Sequence, residues 1–149
     1  MDQRLSFVSL AVADVARSYA FYVDGLGWHP ELYVPGEVVM IRVAESVVLS
    51  LWDRTAFSQE VGAPIEGPGF APMTLAHNVG SPAEVDAAID DAVAAGATLL
   101  VAGAAREWGG YSGYVTDPDG FAWEIAHNPS PLGDAVLAAW RLGPLGDQQ

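Results

Sequence analysis

Residues 5–12 alternate, with Val8, Leu10 and Val12 on one side and Phe7, Ser9 and Ala11 on the other, which is the period of a strand. Helical spacing follows at Val15, Ser18, Tyr19, Tyr22 and Leu26. Asp14 sits at the N-cap position, and Gly25 and Gly27 close the helix. Residues 28–33 read as a short strand loosened by Pro30. Residues 38–43 and 47–52 read as clearer strands around a turn at 44–46. Residues 53–72 hold several Gly and Pro with no steady period and read as a linker or long loop. The pattern then begins again with a strand over 73–79. Ser81-Pro82-Ala83-Glu84 is a capping box with proline at the first helical position. It predicts a helix over 82–95, with Val85, Ala88, Ile89, Ala92 and Val93 as its buried stripe and Gly96 as its stop. A strand over 98–101 follows. Residues 111–116 and 121–126 then form a hairpin around Asp117-Pro118-Asp119-Gly120, a turn with Asp to cap it, Pro to preset φ and Gly to take positive φ. Residues 134–142 predict a terminal helix with Val136, Leu137 and Trp140 on its apolar side.

The element order is β-α-β-β-β, stated twice. The predicted fold class is α+β: two βαβββ modules, 5–52 and 73–129, joined by the linker 53–72 within one domain spanning 1–129, with a tail over 130–149. One helix per four strands leaves one face of each cupped mixed sheet bare. Val8, Leu10, Val12, Leu49, Leu51, Leu75, Val79, Trp123 and Ile125 suit the face under a helix. Ser9, Ala11, Ser50, Thr74, Ala76, Asn78, Ala122 and Glu124 are small or polar and suit a wet cavity. Phe7 and Trp52 are large groups on that cavity side, and His77 falls on the apolar side.

A chain of 149 residues, 51% hydrophobic, can bury a sizeable core. No apolar run is long enough to span a membrane, and Met1-Asp2-Gln3-Arg4 does not open a signal peptide. Without cysteine there is no thiol chemistry, and a cytoplasmic location is expected. The net charge of −13 disfavours nucleic acid and anionic membranes. It serves general solubility, or a preference for cationic ligands.

Three stretches carry a family resemblance: residues 10–18 leading into Phe21-Tyr22-Val23-Asp24-Gly25-Leu26-Gly27-Trp28, residues 81–97, and residues 117–124. Together they resemble the vicinal oxygen chelate superfamily of glyoxalase I, bleomycin-resistance proteins and extradiol dioxygenases. The resemblance implies paired βαβββ modules around a cupped site, and a homodimer. In the metal enzymes of that superfamily the ligands come from the first and last strands of each module. Those positions here carry Phe7, Ser50, Thr74 and Glu124. Only Glu124 keeps a ligating group of the expected kind, so no metal and no other cofactor is expected.

The expected ligand-binding residues are Phe7, Ser9, Ser50, Trp52, Thr74, Asn78, Trp108, Tyr111 and Glu124. Glu124 lies between Ala122 and Ala126, which leave it room. It is a general base, a partner for a cation, or a structural carboxylate held by hydroxyls. Trp52, Trp108, Trp123 and Tyr111 could form an aromatic wall, although Trp123 also suits a core. Arg106 either holds an anionic group or pairs with Glu107 or another surface acid. His29 lies at a loop edge, His77 reads as a hydrogen-bonded core or interface residue, and His127 points away from Glu124. Two functions stand open beside a purely structural or scaffold dimer. One is a metal-free protein that sequesters a small, possibly cationic organic ligand. The other is a glyoxalase-like lyase, isomerase or dioxygenase, which would require a divalent metal or Glu124 as a metal-free base.

Overall fold

The described residues of the computed structural model are 7–45, 47–61 and 74–141. They fall into two compact units that divide between residues 70 and 71. The expected strand residues Leu5 and Met73, Ser46 of the turn, the linker beyond Val61 and Leu142 of the tail lie outside the described residues.

In the first unit, β1 (Phe7–Val12) runs parallel to β4 (Val47–Asp53), with Ser9 opposite Ser50 and Ala11 opposite Trp52. β3 (Val38–Ala44) and β2 (Pro30–Val34) add antiparallel, giving the order β1-β4-β3-β2. Leu10, Val12, Leu49 and Leu51 are buried, as the alternation requires. Helix α1 (Val15–Tyr19) starts where Asp14 caps it, its carboxylate accepting from the Ala16 and Arg17 amides at 2.9 and 3.2 Å.

A regular helix was expected to continue to Leu26. Instead residues Ala20–Gly25 widen into a π-helical turn, in which the Leu26 amide reaches five residues back to the Phe21 carbonyl at 2.9 Å. The wider turn buries two consecutive aromatics, Phe21 and Tyr22, whose rings meet edge to face at 4.8 Å.

A second correction concerns the loop expected from residue 53 onward. Helix α2 (Arg54–Val61) occupies its start, and Asp53 accepts from the Ala56 amide at 2.9 Å. Phe57 of α2 lies on Trp52, with ring centroids 5.1 Å apart. Apart from Ala56, Phe57 and Val61, the residues of this helix are polar.

In the second unit, β5 (Leu75–Asn78) runs parallel to β8 (Ala122–His127), and β7 (Tyr111–Thr116) and β6 (Thr98–Ala105) add antiparallel. The order β5-β8-β7-β6 repeats that of the first unit. Helix α3 (Pro82–Ala94) has its capping box in place. The Ser81 hydroxyl accepts from the Glu84 amide at 3.3 Å, and the Glu84 carboxylate accepts from Gly80 N–H at 3.0 Å. Val85, Ile89 and Ala92 of the expected stripe are buried, but Val93 is exposed because it lies at the edge of that face. Strand β6 runs four residues further than expected, through Ala102-Gly103-Ala104-Ala105, which lack strand propensity and are held by pairing to β7. It is an edge strand, and Leu99, Leu100 and Val101 are all exposed. Helix α4 (Pro131–Arg141) begins three residues before the expected start.

The hairpin closes as its sequence demands. Buried Asp117 accepts from the Asp119 and Phe121 amides at 3.0 and 2.9 Å, and Gly120 takes φ +91°. Its register sets Tyr114 opposite Glu124 and Ser112 opposite Ala126.

Candidate functional site

β8 presents Ala122, Glu124 and Ala126 on the face away from Trp123 and Ile125. Parallel pairing brings Ala76 beside Glu124 and Asn78 beside Ala126. A cleft of about 360 Å³ opens on this face, lined by Asn78, Trp108, Glu124, Ala126 and Asn128. Its charged group is Glu124, and its broad apolar surface is the Trp108 indole, 53% exposed.

Trp108 stands in the turn between β6 and β7, which the Arg106 amide closes onto the Gly110 carbonyl at 2.8 Å. The ring lies directly against Gly110. A Cβ there would collide with Cζ3 and Cη2 of the indole and would come within 2.7 Å of the His127 carbonyl oxygen. The missing side chain at Gly110 therefore leaves the space that the indole occupies beside the cleft.

The Tyr114 hydroxyl donates to Oε1 of Glu124 at 2.9 Å. Burial, followed by the nearby Glu124 carboxylate, raises the Tyr114 phenol above its ordinary pKa, and the positive charge of Arg106 acts against the shift. Arg106 donates from Nε to the Ser112 hydroxyl at 3.0 Å and from Nη2 to the Ser112 carbonyl at 2.7 Å. Neither partner proposed from the sequence, Glu107 or another surface acid, accounts for those two bonds.

Three expected binding residues, Asn78, Trp108 and Glu124, come together at this cleft. Tyr111 does not, and its place in the aromatic wall is corrected. It pairs with His127, so its side chain leaves by the opposite face, where its hydroxyl donates to Asp86 of α3 at 3.0 Å. Thr74 is exposed and precedes β5. In the first unit Phe7 and Ser9 are exposed and Trp52 is half-buried against Phe57. Ser50 is fully buried, and neither its Oγ nor Trp52 Nε1 has a hydrogen-bond partner among the described residues. Asn128 and Tyr114 were missed. The signal for Tyr114 was available, because counting outward from the 117–120 turn pairs it with Glu124.

His77 stands beside Ile125 on the face turned away from Glu124. Its surface is open, yet the protein mass around the ring lowers its pKa from 6.5. His127 Nδ1 lies 3.4 Å from the Val79 carbonyl.

The model of the Glyoxalase/Bleomycin resistance protein/Dioxygenase superfamily matches residues 4–125. The chain belongs to that superfamily. Its fold is similar to the crystal structure of a glyoxalase-related enzyme from Fulvimarina pelagi, at 38% identity over 85% of this chain and 89% of that one, TM-score 0.78. A glyoxalase/bleomycin resistance protein/dioxygenase from Nocardioides shares 26% identity over 85% of this chain and 84% of that one, TM-score 0.71. Lactoylglutathione lyase from Agrobacterium tumefaciens shares the fold at 24% identity, 85% and 95% coverage and TM-score 0.65. No protein of curated function matches the chain.

Superfamily membership raises the question of a divalent metal. The first unit offers Phe7, which has no donor atom, and the neutral hydroxyl of Ser50. The second offers the neutral hydroxyl of Thr74, and Glu124, which already accepts from Tyr114. Neither unit's pair by itself fits a divalent transition metal, which takes imidazole and carboxylate donors. Among the described residues, no three of His, Cys, Asp and Glu come together.

Proposed function

We propose that this member of the superfamily is a metal-free binder of small organic molecules. It sequesters a ligand with a cationic group, and an aromatic or apolar body, in the cleft of the second unit. The observation that carries the reading is the pairing of one carboxylate, Glu124, with one open indole, Trp108, in the same cleft. An ammonium group is attracted by both: by the carboxylate through a charge-assisted hydrogen bond, and by the ring face through its quadrupole. Asn78 and Asn128 supply neutral donors and acceptors for orientation. The overall charge of −13 favours the approach of a cation.

Calorimetric titration with tryptamine tests the reading. Wild type should bind it, and Glu124→Gln, which keeps shape and removes charge, should fold normally and bind about tenfold more weakly, or roughly 1.4 kcal/mol. Equal affinities would make Glu124 a structural residue.

The second reading is an enzyme, favoured by the likeness to the Fulvimarina pelagi protein, a glyoxalase-related enzyme. Metal analysis of the purified protein separates the two. Stoichiometric zinc, nickel, iron or manganese that is lost in Glu124→Gln would favour the enzyme. A homodimer belongs to the same proposal, and sedimentation at tens of micromolar would check it.

A further inference from the structure

The groups that line the cleft fall in an order along β8. Glu124 stands at one end, with Ala126 beyond it on the same face and Asn78 of β5 beside Ala126. Trp108 belongs to the other end. A Cβ on Gly110 would meet both the indole and the His127 carbonyl, so the ring lies by the residue that precedes Asn128. Asn128 therefore shares its end of the cleft with the open ring. Its amide is also oriented. The Ser130 amide donates to Asn128 Oδ1 at 3.0 Å, and a backbone N–H can bond only the oxygen of that side chain. A Cβ on Gly133 would collide with the Asn128 carbonyl and Cβ, so the first turn of α4 sits close against this residue. With Oδ1 turned to Ser130, the group that Asn128 has left to offer is Nδ2, which donates and does not accept.

Resting on the cationic reading above, we propose that the cleft selects cations whose aromatic body carries a hydrogen-bond acceptor on the side away from the ammonium, and that Asn128 is the residue that selects for it. The ammonium meets Glu124, the ring lies on Trp108, and an oxygen on the ring receives the Nδ2 hydrogens of Asn128. The ligand class is an arylalkylamine with an ether or carbonyl oxygen on its ring. An apolar substituent at the same place strips water from the Asn128 donors and gives them no partner in return. That unpaired donor is the source of the discrimination.

The test titrates 5-methoxytryptamine and 5-ethyltryptamine calorimetrically, two compounds of one shape that differ in the ether oxygen. Wild type should bind the methoxy compound about threefold to tenfold more tightly, the worth of one net hydrogen bond. Asn128→Asp keeps an oxygen for the Ser130 amide and puts a second oxygen where the donor stood. It should abolish or reverse the preference. Both ligands carry the same charge, so their ratio is free of the new carboxylate's general attraction for cations. Equal affinities in wild type overturn the inference, as does a preference that survives Asn128→Asp. If Glu124→Gln still weakens both compounds in those cases, the cationic reading stands alone. If neither compound binds, both fall. Should Asn128→Asp not fold, the side-chain N–H resonances of Asn128 in wild type decide. They should move downfield with the methoxy compound and not with the ethyl one, and equal shifts overturn the inference.

Discussion

Tyr114 and Glu124 face each other across β7 and β8, and the phenol donates to the carboxylate at 2.9 Å. The bond orients Glu124 and leaves Oε2 with no hydrogen bond among the described residues. Tyr114→Phe should cost about 0.5–1.5 kcal/mol of stability by removing that bond. It should also weaken tryptamine binding about threefold to tenfold, because the carboxylate loses its orienting donor. The phenol's raised pKa fixes a pH dependence. A group raised above its unfolded value of 10.0 contributes stability below that pH and loses it as pH rises through the folded value. Wild type should therefore weaken more steeply than Tyr114→Phe in alkaline denaturation, and tyrosinate absorbance should show one fewer late-titrating phenol in the variant.

Gly110→Ala should displace the Trp108 indole and press on the His127 carbonyl. We expect a loss of about 1–3 kcal/mol, the range for overpacking, together with a shift in tryptophan emission and weaker tryptamine binding. In Trp108→Ala the same Gly110→Ala change should cost less, though not zero, since the backbone contact with His127 remains. Chemical denaturation of the four proteins measures the coupling.

Asp117 is buried and accepts two backbone amides at the hairpin turn. Asp117→Ala leaves those donors without their acceptor and should cost about 1–3 kcal/mol, with Asp117→Asn recovering part of it. Thermal melts of the three proteins would show the order.

His77 resists protonation in the folded chain because of desolvation. The unfolded chain, with an ordinary value near 6.5, binds the proton more readily, so stability should fall as pH drops through and below that value. Above it the residue carries no penalty. His77→Gln should flatten the stability profile on the acid side while leaving it unchanged at pH 8, a value about 1.5 units above the ordinary histidine pKa. An equal slope in both proteins would assign the acid loss to other groups.

What was legible in the sequence follows from how local each cause is. The 117–120 turn and the Ser81–Glu84 box form from side chains that bond their own neighbours, so a few residues suffice to specify them. The two-residue period placed Asn78 and Glu124 on one face, and the same parity excluded Tyr111, which an aromatic-wall argument had included against the register. Other features depended on partners that the local pattern does not name. Arg106 found a serine six residues on where a charge was expected. Helix α2 is capped at Asp53 and sets Phe57 on Trp52, without an amphipathic stripe to announce it. The π-helical turn answers to two aromatics that both need the core.

Strand β6 carries Thr98-Leu99-Leu100-Val101-Ala102-Gly103-Ala104-Ala105 along the open edge of its sheet, without a charge or a proline. Such an edge is a template on which another copy of the same strand can polymerise. Mutual repulsion between highly acidic molecules is then the guard against it, and that guard weakens as pH approaches the isoelectric point near 4.2. The acidity that would favour the proposed cationic ligand should thus also help keep the molecules apart.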